Sequence, residues 1–459
     1  MRIAFVSANR ERLPDPVTPI GLLYVIAAVP DGHTTELWDL CFEDEPFAYV
    51  AQKLDAFRPD LVAVSLRNVQ SGDYSGIRNN LEYYRELIVR LRASTKARII
   101  VGGGGFSVMP REIMCYLEPD FGISGEGEAG FRALVDALAR GNDGLDEIGN
   151  LHYFRDGELK SVPSHGFADL DALRPPQREL VDDRYYTECG TESVQTKRGC
   201  PLRCDYCTYP VIEGRSIRQR DPVAVVDELF RALDARPSIN HFFVVDSVFN
   251  LPPAHAKAVC REMIARGFRT PWTAYANPIG FDRELAELMR DAGCSGVEVG
   301  SDSGVNAVLD RLKKGFHVDR IAAIHEHCKS AGILDCHTFI LGTTGESLDD
   351  VSQTLDFCIA LDPSAAIFMI WTDELEALAP ELAEQRLAFR EQITAMMAER
   401  AARYPHWVIP GLAHNYDERL FKVLRRRGLH GPLWQHIRRF RSVPQPSPAS
   451  GDIASRTGN

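Results

Sequence analysis

Long apolar runs are missing from this chain. No stretch approaches the roughly 20 residues a membrane helix needs, so a helical span is excluded. Cysteine pairing is missing too. The chain holds 11 cysteines, an odd number, and Cys41, Cys115, Cys189, Cys260, Cys294, Cys328, Cys336 and Cys358 are scattered without paired spacing. That excludes a disulfide framework and makes a reduced, cytoplasmic setting the expectation. Positive charge is in deficit, with 52 Lys and Arg against 64 Asp and Glu and a net charge of −12. A broad nucleic-acid surface is therefore excluded. The acidic balance suits a cationic small-molecule substrate, or solubility alone. A cleavable leader is not expected, because Met-Arg-Ile-Ala-Phe-Val reads as the start of a strand. Internal repeats are also lacking.

What is present is strand–helix alternation over two stretches, in a chain of 459 residues that is long enough for two or three domains. Residues 1–140 place candidate strands at Ile3–Ser7, Thr35–Asp39, Leu61–Leu66, Arg98–Val101 and Phe121–Ser124, with helical patterns between. This predicts a doubly wound, Rossmann-like α/β domain. Gly102-Gly103-Gly104-Gly105 and Gly125-Glu-Gly-Glu128 each follow a strand. Ligands of open α/β sheets bind at such strand ends, and glycine permits close backbone approach. Gly103 and Gly104 are the candidate contacts. Residues 141–190 read as a connector with a small hairpin at Asp156-Gly157. Residues 191–371 alternate again, with strands at Val194–Thr196, His241–Val245, Trp272–Tyr275, Gly296–Val299, Thr338–Leu341 and Ala366–Ile370. Six such units predict a partial (β/α)6 TIM barrel, whose site lies at the carboxyl ends of its strands. Residues 372–441 read as a helical C-terminal region, and 442–459, rich in Pro, Ser and Gly, as a disordered tail.

The chemistry centres on Cys200-Pro-Leu-Arg-Cys204-Asp-Tyr206-Cys207, directly after the first barrel strand. A cubane iron–sulfur cluster normally takes four thiolates, so three leave one iron open to another ligand. A structural zinc site is the alternative; it needs a fourth ligand from a second hook, and none lies nearby in the sequence. The C-x3-C-x2-C spacing, with aromatic Tyr206 before the last cysteine, resembles the radical S-adenosylmethionine (SAM) superfamily. The glycine clusters, Thr18-Pro-Ile-Gly-Leu-Leu-Tyr24 and Ser65-Leu-Arg-Asn68 resemble the class that carries a cobalamin-binding domain before the barrel.

The resemblance implies a [4Fe–4S] cluster on Cys200, Cys204 and Cys207, with SAM on the open iron. It implies reductive cleavage to a 5′-deoxyadenosyl radical, and an electron donor of flavodoxin or ferredoxin type or a dedicated reductase. It places Asp246 and Ser247 on the SAM amino group. Glu298, Ser301 and Asp302 go to the ribose or carboxylate, and Gly342 to Glu346 to the adenine. Bland readings stand beside these: Asp246 as a helix cap, and Ser301-Asp302-Ser303 as a turn. Lys314 and His337 are acid/base candidates. Asp373 and Glu374 replace the family's sixth-strand turn, as substrate carboxylates or as the acidic start of a helix. Cobalamin stays open. The lower-ligand signature is absent after the first strand, and Asp31-Gly-His33 only imitates it, so His33 reads as a turn residue.

Three functions follow. The favoured one is dehydration or deoxygenation of an amino-sugar diol, resembling the diol-dehydratases of apramycin-type aminoglycoside biosynthesis. The others are a cobalamin-dependent radical SAM methyltransferase and a non-catalytic iron–sulfur protein.

Overall fold

The computed structural model describes residues 1–12, 15–70, 80–141, 143–372, 379–401, 403–404, 406–409 and 423–442. Seven strands make the first sheet: β1 (Arg2–Ser7), β2 (Thr34–Asp39), β3 (Leu61–Ser65), β4 (Arg98–Gly102), β5 (Phe121–Ile123), β6 (Leu151–Arg155) and β7 (Glu158–Ser161). Their order is β2-β1-β3-β4-β5-β6-β7. The pairs among β1 to β5 are parallel, while β6 and β7 join antiparallel. The chain order reverses between β1 and β3, and that reversal opens a crevice at their carboxyl ends. The hairpin expected at Asp156-Gly157 forms with both residues at positive φ (53° and 80°), the geometry of a type I′ turn. It belongs to the first sheet and covers the edge of β5.

β8 (Thr191–Val194) opens the second sheet. The two-residue strands β9 (Lys197–Arg198) and β10 (Arg218–Gln219) pair antiparallel with each other across the base of the cysteine loop. β11 (His241–Val244), β12 (Trp272–Ala276), β13 (Cys294–Asp302), β14 (Leu334–Leu341), β15 (Ala365–Ile370) and β16 (Trp407–Val408) complete it, in the order β16-β15-β14-β13-β12-β11-β8. All its pairs are parallel. Two expectations are corrected. The first barrel strand ends at Val194, because Thr196 leaves the ladder to bond Asp246. The C-terminal region is not wholly helical: β16 adds a seventh strand on β15 beyond the six of the partial barrel. Helix Pro380–Ala401 forms within the expected helical stretch, and Leu433–Ser442 is wound as a tighter 3-10 turn.

One apolar core runs through both halves, from Ile3, Phe5 and Phe131 through Tyr185 and Tyr186 to Val194 and Val244. The sheets are thus two parts of one packed body. Buried charge ties them further. Arg178 pairs with Glu192 at 2.7 Å and Glu228 at 2.5 Å, and Thr18 of the first half donates to Glu192. Burial favours the neutral acid, but Arg178 and Arg220 more than offset it and hold the Glu228 carboxyl below its usual range.

Candidate active site

The cysteine loop is built by its neighbours. Gly199 sits at φ 90°, where a Cβ would lie 2.1 Å from the Ser216 carbonyl oxygen, so only glycine fits before Cys200. Cys200 N donates to the Gly214 carbonyl, and Asp205 N to that of Leu312. All three cysteines are free thiols. Asp246, expected to meet the SAM amino group, lies at 0 % exposure just past the end of β11. One carboxylate oxygen accepts from Thr196 N (2.7 Å) and Lys197 N (3.2 Å), and the other from the Thr196 hydroxyl (2.5 Å). Both oxygens accept hydrogen bonds, so Asp246 braces the chain entering the loop. Asp246→Ala is expected to remove three charge-assisted hydrogen bonds and cost about 2–4 kcal/mol. Thermal melts and iron content per chain check this, and both should fall.

The strand ends sort the other candidates by side. The register between β13 and β14 slips between Gly300 and Asp302, leaving Ser301 as a bulge residue. Ser301 is hydrogen-bonded to His337 Nδ1 at 2.7 Å. His337 Nε2 is 3.0 Å from Asp335, which also meets His325 Nδ1 of helix Val318–Ala331 at 2.6 Å. Ser301 and His337 therefore belong to a buried network against the helix layer. The bulge turns the next residue the other way: Asp302 adopts φ 61°, and its Oδ2 accepts from Tyr206 OH at 2.5 Å and Lys314 Nζ at 2.7 Å. Glu298 has a partner of its own. It is buried and accepts from the Trp434 indole at 2.9 Å, a plug supplied by the C-terminal segment.

Gly342 and Glu346 do come together. Glu346 Oε2 accepts from Gly342 N (2.7 Å), Thr343 N (2.8 Å) and the Thr343 hydroxyl (3.1 Å). Its other oxygen, and the Ser247 hydroxyl, are buried without a partner among the described residues. Asp373 and Glu374 lie outside the described residues.

A cavity of ≈ 430 Å³ joins the two sheets at their carboxyl ends. It starts on the first sheet beside Phe5, Ala63 and Phe131, passes Gly103 and Gly104, and reaches Tyr209 of the cysteine loop and Tyr275 of the barrel. Gly103 and Gly104 are needed first for the fold. A Cβ on Gly103 would sit 2.7 Å from the Leu66 carbonyl oxygen, and one on Gly104 3.3 Å from that of Arg67. Sequence reading missed the clasp across this junction. Arg198 Nη2 lies 2.7 Å from Glu128 and Nη1 3.6 Å from Glu126, while Arg218 pairs with Glu126. The signal available was the adjacency of two acids to the second glycine cluster. His33 contacts the N-terminal amine at 3.1 Å, as a turn residue would.

These features fit the implied groups. Three unpaired thiols on one loop suit an iron–sulfur cluster with an open iron. The orphaned oxygens of Ser247, past β11, and Glu346, past β14, suit polar ligands at the carboxyl ends of the barrel strands. The slot, with Ser7, Ala63, Ser65 and Gly102 on the first sheet, gives a large flat ligand room at the switch point. Fold and site thus define an enzyme organised around a three-cysteine cluster loop.

The Radical SAM superfamily profile matches residues 194–358, and the B12 binding domain profile matches residues 7–135. The chain is 29 % identical to tryptophan 2-C-methyltransferase of Streptomyces laurentii, over 82 % of this chain and 74 % of the relative. It is 25 % identical to anaerobic magnesium-protoporphyrin IX monomethyl ester cyclase of Synechocystis sp., over 87 % and 80 %. It resembles the radical SAM methyltransferase TsrM of Kitasatospora setae solved with tryptophan and a SAM analogue (29 % identity, TM-score 0.73, 80 % of this chain and 72 % of that one). The cobalamin- and [4Fe–4S]-bound form of TsrM shares the fold at TM-score 0.80 and 24 % identity, over 95 % and 97 %. The chain thus carries a B12-binding domain followed by a radical SAM domain. Its cofactors are those of the superfamily, a [4Fe–4S] cluster and SAM. No helix among the described residues is long and apolar enough to cross a membrane.

Proposed function

We propose that this protein is a cobalamin-dependent radical SAM methyltransferase acting on a small molecule. The observation that carries the reading is the cavity that runs from the first sheet's switch point to Arg198 and Tyr209, which flank the cysteine loop, and to Tyr275 of the barrel. It gives a corrinoid and a substrate one shared space. Relatives whose names state methyl transfer support it; none names dehydration of an amino sugar, so the diol-dehydratase reading yields to this one. Bound together, the cluster, SAM and corrinoid supply the one-electron and methyl-transfer chemistry. The chain supplies the setting. Cys200, Cys204 and Cys207 would hold the cluster, Ser247 and Glu346 would face SAM, and Gly103 and Gly104 would border the corrinoid. Trp434 covers Glu298 and packs with Cys336 and Ile367 of the barrel strands. An external one-electron donor of flavodoxin or ferredoxin type completes the system.

The test is anaerobic reconstitution with iron, sulfide and hydroxocobalamin, followed by SAM carrying a deuterated methyl group, a reductant and candidate small molecules. The expected result is a protein-retained corrinoid absorbance and label in the product. A loaded cluster with no retained corrinoid, and 5′-deoxyadenosine formed while the substrate loses water, would return the dehydration reading.

A further inference from the structure

Lys314 is a buried ammonium that the fold has gone to some length to aim. Helix Asn306–Arg311 ends with Lys313 N bonded to the Asp310 carbonyl and Lys314 N to that of Leu309, the paired bonds of a Schellman stop. Lys313 takes φ 54° and Gly315 φ 74°. The two lysines consequently part company. Lys313 is exposed and pairs with Asp205 at 2.5 Å, outside the cysteine loop. Lys314 is 4 % exposed. Its Nζ lies 2.7 Å from Asp302, 3.3 Å from Tyr206 OH, and over the rings of Tyr206 and Phe316 at 5.6 and 5.5 Å. Burial opposes its charge, and the Asp302 carboxylate acts the other way and keeps it protonated. Tyr206 stands between Cys204 and Cys207 in the loop, so the ammonium that rests on Tyr206 lies beside the cysteine loop.

We infer that Lys314 is an electrostatic positioning residue of the cluster, fixed by Asp302 and Tyr206, that raises the cluster's reduction potential. Reduction adds one electron from a low-potential donor to the cubane; no bond forms or breaks, and the thiolate-bound cluster becomes one charge more negative. A fixed cation favours that product, and an adjacent carboxylate opposes it. The Lys314–Asp302 pair therefore tunes the potential through two opposed charges, the ammonium resting on Tyr206 of the cysteine loop. This rests on the cluster assignment to Cys200, Cys204 and Cys207.

The experiment is a potentiometric titration of the reconstituted, SAM-free holoprotein, followed by electron paramagnetic resonance of the reduced cluster. Lys314→Met is expected to shift the midpoint to more negative potential, with Lys314→Arg close to the parent. Asp302→Asn is expected to shift it the opposite way; asparagine tolerates the positive φ and keeps an acceptor for both partners. Unchanged midpoints in Lys314→Met and Asp302→Asn, or shifts of the same sign, would overturn the inference, because a merely structural role lowers cluster content without an opposed pair of shifts. A parent protein that loads no cluster on these thiols would instead overturn the assignment beneath it.

Discussion

Cys204→Ala is expected to leave a folded protein that holds no stable cluster and cleaves no SAM. The thiol is only partly buried, and the loop is pinned by backbone bonds from Cys200 to Gly214 and from Asp205 to Leu312. Removing the sulfur should therefore change stability by no more than about 0.5 kcal/mol. Its chemical effect is total. Two thiolates cannot hold a cubane that already leaves one iron open. Iron and sulfide per chain should drop to background, the visible cluster absorbance should vanish, and 5′-deoxyadenosine and methylated product should both be undetectable. Turnover at even a modest fraction of the parent rate would refute the assignment of the loop.

Arg178→Met is expected to give the largest loss of stability. Arg178 and Glu228 are buried, and Glu192 is fully so. Arg220 still reaches Glu228 at 2.7 Å after the change, whereas Glu192 keeps only the Tyr186 and Thr18 hydroxyls and the Ser193 N–H. Stripping one partner from a buried ionic cluster costs about 3–5 kcal/mol, mostly as the penalty of the charge left behind. Denaturant melts of the apoprotein should show that loss in the midpoint, with the slope unchanged. Arg178→Met combined with Glu192→Gln should recover part of it. A loss below about 1 kcal/mol in the single variant would mean that the hydroxyls and the Ser193 amide suffice for Glu192.

Much of the scaffold was legible because its strands are short apolar runs bounded by glycine and polar turns. β1 to β5 and the six main barrel strands lie within a few residues of their expected places. The cysteine loop was legible because its spacing is itself the chemistry. Side-chain direction was not. Ser301 and Asp302 are neighbours with the same turn-forming character; they point to opposite faces of β13, and which face is the cleft follows only from the fold. Asp246 has the composition of a ligand, and three long-range donors make it a brace. β16 is two residues long and gives no periodic signal. Arg178 and Glu192 meet only through the fold, as do Arg198 and Glu128, and nothing local marks either pair.

The plug formed by Trp434 bears on the order in which the molecule can be made. The seven strands of the first sheet lie within the first 161 residues, so that half can assemble early as the chain leaves the ribosome. The barrel cannot finish so soon. β16 and the indole that covers Glu298 are among the last described residues to emerge. Cys200, Cys204 and Cys207 are therefore translated about half a chain length before Trp434. During that interval the cysteine loop belongs to an unfinished barrel, one that still lacks its seventh strand and the indole over Glu298.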